Sequence, residues 1–120
     1  MKKSEYIKQF LNFLAEAENA YYLALKEKEK QENLESDYIH TLELEDLNYR
    51  ERSKLATQLR NCLRERRKSK DVVELLEPIV LFRKEEANKK TLGKLTQLLG
   101  EVRKIERYHE NRHYNKKVQK

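Results

Sequence analysis

In 120 residues there are one proline, two glycines, one cysteine and no tryptophan. Such scarce turn punctuation excludes a chain of many short elements and leaves few turns between long ones. A lone cysteine, Cys62, cannot close an internal disulfide, which excludes a disulfide-stapled scaffold and suits a reducing compartment. No apolar run approaches the roughly 20 residues that a membrane span needs. Lys2 and Lys3 are not followed by the apolar stretch of a signal peptide, and the acids interspersed after them argue against a transit peptide. There is no glycine-rich phosphate loop and no Ser/His/Asp pattern. A cytoplasmic, non-catalytic protein with no membrane contact and no cofactor is therefore expected.

What the chain does have is charge and helix formers. Charged residues make up 40% of it, and Lys, Glu, Leu, Arg and Gln dominate, all of them good helix formers. Leu, Ile, Val and Phe supply 30 residues, a quarter of the chain. That is too many for disorder and enough for only a thin core. The length fits one domain. The net charge of +6 hides an asymmetry, since residues 1–48 hold 6 bases against 11 acids and residues 49–120 hold 21 against 10. An acidic segment leads into a strongly basic one.

Apolar periodicity predicts three helices, at about 4–45, 49–86 and 89–110, in one domain over 1–110, followed by a basic tail at 111–120. The first starts near Ser4, a good cap, and carries a heptad seam of Ile7, Phe10, Leu14, Ala17, Tyr21 and Ala24. A polar stretch from Lys26 to Asn33 interrupts it. Asn48 followed by Glu51 has the spacing of a capping box and opens the second helix. Pro78 predicts a kink there. Asn88 is placed to cap the third helix, in which Gly93 and Gly100 lie seven apart. Those glycines either admit a close helix contact or cost about 1 kcal/mol each against Ala.

Doubling the chain back at Leu47 and Asn48 sets opposite one another positions whose numbers sum to about 95. The polar stretch 26–33 then faces the eight residues Arg64 to Asp71, which lack an apolar side chain. Glu27, Glu29 and Glu32 come level with Arg64, Arg66, Arg67 and Lys68. The expected fold is all-α, a long antiparallel coiled-coil-like hairpin with an ionic layer at its middle. The third helix, folding back near 86–88, is expected to pack on one half and make it a three-helix bundle. The other half, the 34–63 arm, then keeps an uncovered stripe of Leu34, Ile39, Leu42, Leu55 and Leu59. Such a stripe predicts a homodimer or a protein partner.

Few residues offer chemistry. His109-Glu110-Asn111-Arg112-His113 matches H-E-x-x-H, the zinc-protease helix motif, but it is short, terminal and lacks a third ligand, so no metal is assigned. The bases carry more. Arg60, Arg64, Arg66, Arg67, Lys68 and Lys70 fall within three helical turns, and an antiparallel third helix would bring Arg103, Lys104, Arg107 and Arg112 to the same level. Such a surface suits phosphates, with Tyr108 and Tyr114 available for stacking. Alternatively, Arg64 to Lys70 neutralise the acids opposite.

Asp46-Leu47-Asn48-Tyr49-Arg50-Glu51-Arg52 and Arg64-Glu65-Arg66-Arg67-Lys68-Ser69-Lys70-Asp71 resemble segments of small helical proteins encoded by prophages of Gram-positive bacteria. So do Leu99-Gly100-Glu101-Val102-Arg103-Lys104 and Glu110-Asn111-Arg112-His113-Tyr114, and the resemblance spans residues 36–115. It implies a phage accessory or anti-host role and carries over no catalytic residue. The combined expectation is a non-catalytic phage-type accessory protein whose basic face docks on nucleic acid or a nucleoprotein complex. Inhibition of a host defence effector such as a CRISPR nuclease is one form of that role. The rival is a structural coiled-coil adaptor that only assembles proteins.

Overall fold

The computed structural model describes residues 1–112, in three helices: α1 (Lys3–Leu44), α2 (Tyr49–Lys84) and α3 (Glu86–Glu110). Among the described residues there is no strand. All-α architecture, a long antiparallel hairpin and a third helix packed on one half of it are as the sequence predicts. The tail predicted at 111–120 falls, beyond Arg112, outside the described residues.

The hairpin forms where the capping signal lies. Asn48 has extended backbone and its Oδ1 accepts the Glu51 N–H at 2.8 Å, satisfying one of the free donors at the start of α2. Four residues, Glu45 to Asn48, make the turn. From it the two helices run antiparallel with Ala17, Ala24 and Gln31 of α1 buried, seven residues apart. Leu55, Cys62 and Ser69 of α2 repeat at the same interval, and Val80 follows. Seven-residue repeats keep one face turned toward a partner helix. Because Ala, Cys and Ser are small, the helices sit close: Cys62 Sγ donates to the backbone carbonyl of Gln31 at 2.9 Å. That contact also fixes the register, within a few residues of the fold-back predicted from the sequence.

Two details of the hairpin differ from expectation. Phe10 leaves the seam and is exposed, while Leu11 and Leu14 turn inward. At 3.6 residues per turn both 7, 10, 14 and 7, 11, 14 span about 60°, so the period alone does not separate Phe10 from Leu11. The ionic layer is also mostly not built across the helices. Lys28 pairs with Glu32 at 3.5 Å and Gln31 donates to Glu27 at 2.8 Å, both within α1, while Lys68 pairs with Glu65 at 3.2 Å within α2. Neighbours three or four apart on one helix reach each other at less entropic cost than partners across a seam. Among the described residues the one interhelical ion pair in this layer is Arg66–Glu35, at 3.9 Å.

The direction of α3 is the larger correction. The chain does not fold back along α2. Arg83, at the end of α2, binds Glu18, and Leu92 lines a depression with the same Glu18. Farther on, Glu106 meets Ser4 and Glu110 meets Lys2. Thus α3 does not return along α2 but crosses the first third of α1, from Glu18 to Ser4. With Cys62 at Gln31, Lys84 already lies level with the first turns of α1, so α3 does not lengthen the hairpin but packs on its end as a third helix inclined to the other two. Its Cα envelope of 99 × 36 × 14 Å is flat rather than round.

The break lies at Glu85, which is extended at φ −63°, ψ 136°, and α2 passes unbroken through Pro78. Asn88 does not cap α3 from outside, since α3 starts at Glu86. Its Nδ2 instead donates to the Phe82 carbonyl at 2.9 Å and to Glu85 Oε2 at 3.1 Å, holding the two helices across the break. One non-helical residue offset by a side-chain bridge redirects the chain without reversing it. At the far end, Ser4 is not the cap of α1, which begins at Lys3. Buried Ser4 gives its backbone N–H to Glu106 Oε2 at 3.2 Å and its hydroxyl to Glu106 Oε1 at 2.5 Å. A carboxylate from α3 thus serves the free donors and the positive dipole end of α1.

Candidate polyanion-binding surface

Helical geometry groups the bases of α2. Arg60, Arg64 and Arg67 recur at i, i+4 and i+7 along the outer edge, and Lys68 stands four residues from Arg64. All of them, and Lys70, are exposed. Arg60, Arg64, Arg67 and Lys70 make no ion pair with a described residue; of the acids opposite, Glu27 and Glu32 are bound within α1 and Glu35 faces Arg66. Neutralisation of acidic residues therefore does not account for these four. Between positions 60 and 71 stand six bases and the two acids Glu65 and Asp71, along roughly 15 Å of helix.

Arg66 differs from its neighbours. It is half-buried, and its Nε lies within the protein without a hydrogen-bond partner, the nearest acid oxygen being that of Glu35 at 3.9 Å. It belongs to the seam more than to the surface. Beside the arginines, Ala56, Leu59 and Leu63 floor a shallow depression of 540 Å³ rimmed by Arg60, Arg64 and Arg67. Guanidinium groups flanking an apolar strip can bind phosphate oxygens while their planar faces lie against bases or aromatic rings.

The second set of bases stands elsewhere. Arg103 and Arg107 line a groove with Lys2 and Lys8 near the start of α1, whereas Arg66 lies beside Glu35. Twenty-seven residues of α1 separate Lys8 from Glu35, so roughly 40 Å divides the two clusters. Lys104, Arg107 and Arg112 are exposed near that far end, and the Arg112 guanidinium lies over the Tyr108 ring at 5.5 Å. The ten bases therefore form two clusters, not one composite patch. Tyr114 lies outside the described residues.

Equal offsets from the seam reveal a shared face. Two antiparallel helices are related by a two-fold axis perpendicular to their common plane, so residues one position after a seam residue fall on the same side in both. Lys8 follows Ile7 in α1, and Arg67 follows Arg66, Lys70 follows Ser69 and Lys84 follows Arg83 in α2. Four bases thus share one face of the hairpin, with Glu74 and Glu77 interrupting them.

The remaining ionisable groups hold the ends together. Glu106 is shifted below the usual carboxylate range, chiefly because the Ser4 hydroxyl hydrogen-bonds its charged form. Lys2 is shifted upward by its bond to Glu110, and Lys84 by donating to the Tyr22 hydroxyl at 2.5 Å. Burial raises the Cys62 thiol, so this cysteine is an S–H donor in the seam and not a nucleophile.

In the H-E-x-x-H segment, α3 ends at Glu110, Glu110 is bound by Lys2, and His113 lies outside the described residues. In the arm, Ile39 and Leu42 are exposed as predicted, at 45% and 52%, and Leu34 and Leu59 are half-buried. Leu55 is corrected: it is 5% exposed and packs in the seam, one heptad before Cys62. No helix among the described residues is long and apolar enough to cross a membrane.

The chain matches no protein-family model, no curated protein and no solved structure.

Proposed function

We propose that this protein is a non-catalytic docking module that binds nucleic acid, alone or in a nucleoprotein complex, through the edge of α2. The observation that carries the reading is the run of exposed Arg60, Arg64, Arg67 and Lys70, none of which makes an ion pair with a described residue. Unpaired surface bases keep their full electrostatic attraction for phosphates and gain from releasing the counterions that phosphates hold. The groove at Arg103 and Arg107, about 40 Å away, supplies a second contact for a long strand. In a phage-type accessory protein, the setting that the resemblance of residues 36–115 implies, such a surface suits occupation of nucleic acid held by a host defence effector such as a CRISPR nuclease.

The test is fluorescence anisotropy with labelled single- and double-stranded DNA and RNA across a salt series. Four phosphate contacts predict that log K falls with log salt at a slope of about −3 to −4 on duplex DNA. Replacing Arg60, Arg64, Arg67 and Lys70 by Ala should remove that share of the slope, leaving only what the second groove contributes. Absence of binding at low salt would remove the proposal.

A second reading, a structural adaptor, draws on the turn end of the hairpin, where Leu42, Leu44 and Tyr49 are exposed. Under that reading the four alanines would leave the protein's cellular role intact, and changes at Leu44 and Tyr49 would abolish it.

A further inference from the structure

The depression beside the α2 arginines combines two kinds of surface, only one of which a phosphate uses. Its floor is Ala56, Leu59 and Leu63, which recur at three and four residues and so form one strip of the helix next to the seam. Leu63 is 40% exposed, and Ala56 is exposed as well. Arg60, Arg64 and Arg67 border the strip on its outer side, and Arg66 borders it on the seam side. No acid lines it. By contrast, the groove at Arg103 and Arg107 includes Glu5 and Glu106, and the depression at Arg83 and Lys84 includes Glu18. Of these three sites, the 540 Å³ depression on α2 is the one that joins an apolar floor to a wholly basic rim.

We propose that this depression takes a nucleobase, so that the nucleic acid bound at the edge of α2 is single-stranded; the inference rests on the nucleic-acid reading above. In a duplex the bases are paired and stacked, and they show only their edges in the grooves. Exposed leucines gain little from the phosphates and sugars that remain. A single strand can turn a base out of its stack and lay one face on Leu59 and Leu63 while a guanidinium plane covers the other. Arg60 and Arg67 stand about 10 Å apart along the helix axis, so the phosphates on either side of that base come within their reach. No aromatic ring lines the depression, which leaves leucine methyls and guanidinium planes as the stacking partners. Every base has a face to offer them, so discrimination among bases is expected to be weak.

Fluorescence anisotropy of the full chain with three probes tests this: a single strand, an abasic strand of the same length, and a duplex. The abasic strand carries the same phosphates without the bases. Plots of log K against log salt should run parallel for the two single strands, because they share the phosphate contacts. The base-bearing strand should bind roughly tenfold or more tightly throughout. Leu63→Ser should bring that strand toward the abasic one and leave the abasic and duplex affinities unchanged, with helicity by circular dichroism intact. Equal binding of the two single strands, or a Leu63→Ser change that weakens all three probes alike, would overturn the inference while leaving the docking surface in place. Absence of binding to any of the three would remove both.

Discussion

Replacing Gly93 and Gly100 by alanine should stabilise the protein. Both lie inside α3, both are exposed, and a methyl group added at either meets no atom within 4 Å. Glycine in a helix interior costs about 0.5–1 kcal/mol against alanine, through the backbone entropy lost on folding. The two positions are seven residues apart, roughly 10 Å along the axis, and share no neighbour, so their effects should add. The double variant is expected to gain about 1–2 kcal/mol. For a chain of this length that is a rise in Tm of roughly 3–10 °C. Urea and thermal unfolding followed by circular dichroism at 222 nm measure it. A loss of stability would mean that another helix touches the glycine face, as in a folded-back three-helix bundle, and would refute the placement of α3 beside α1 alone.

Other expectations follow from the seam and the clamp. Leu55→Ala should cost about 2–5 kcal/mol, because it empties a filled position, whereas Leu42→Ala should stay within about 0.5 kcal/mol; comparable losses by urea unfolding would contradict their different burial. Since the folded state lowers the Glu106 pKa, the α1–α3 contact is complete above the ordinary carboxylate value of 4.5 and is lost as pH falls through the lower folded value. Hydrogen exchange in α3 should accelerate in that acid window, and Glu106→Gln should weaken the contact at neutral pH and remove the transition. The raised Lys2 pKa acts at the other extreme: its contribution is complete below 10.5 and fades as pH rises through the higher folded value.

Much of the fold was legible because it rests on local signals. Asn48 with Glu51 marked the start of α2, and the coincidence of two polar interruptions located the hairpin register that Cys62 and Gln31 now fix. The direction of α3 was not legible. Whether a chain reverses or merely bends at residues 85–88 depends on one extended residue and on where the Asn88 amide reaches, and neither has a sequence period. Ser4 misled for a related reason. A serine near a helix start reads as a cap, and only the approach of Glu106, 102 residues away, gives it a different partner. The bases of α2 were legible as a cluster. Their freedom from acidic partners depends on rotamers within α1, and their separation from Arg103 depends on α3.

The separation of the two basic clusters depends on α3 crossing the start of α1 and not returning along α2. Spin labels at Arg64 and Lys104, both exposed, with Cys62 replaced by serine, test this by pulsed electron resonance. The levels of these two residues along α1 predict a separation of about 40 Å. A third helix folded back on α2 would bring the labels within roughly 20 Å, about two interhelical distances, and such a distance would contradict the account.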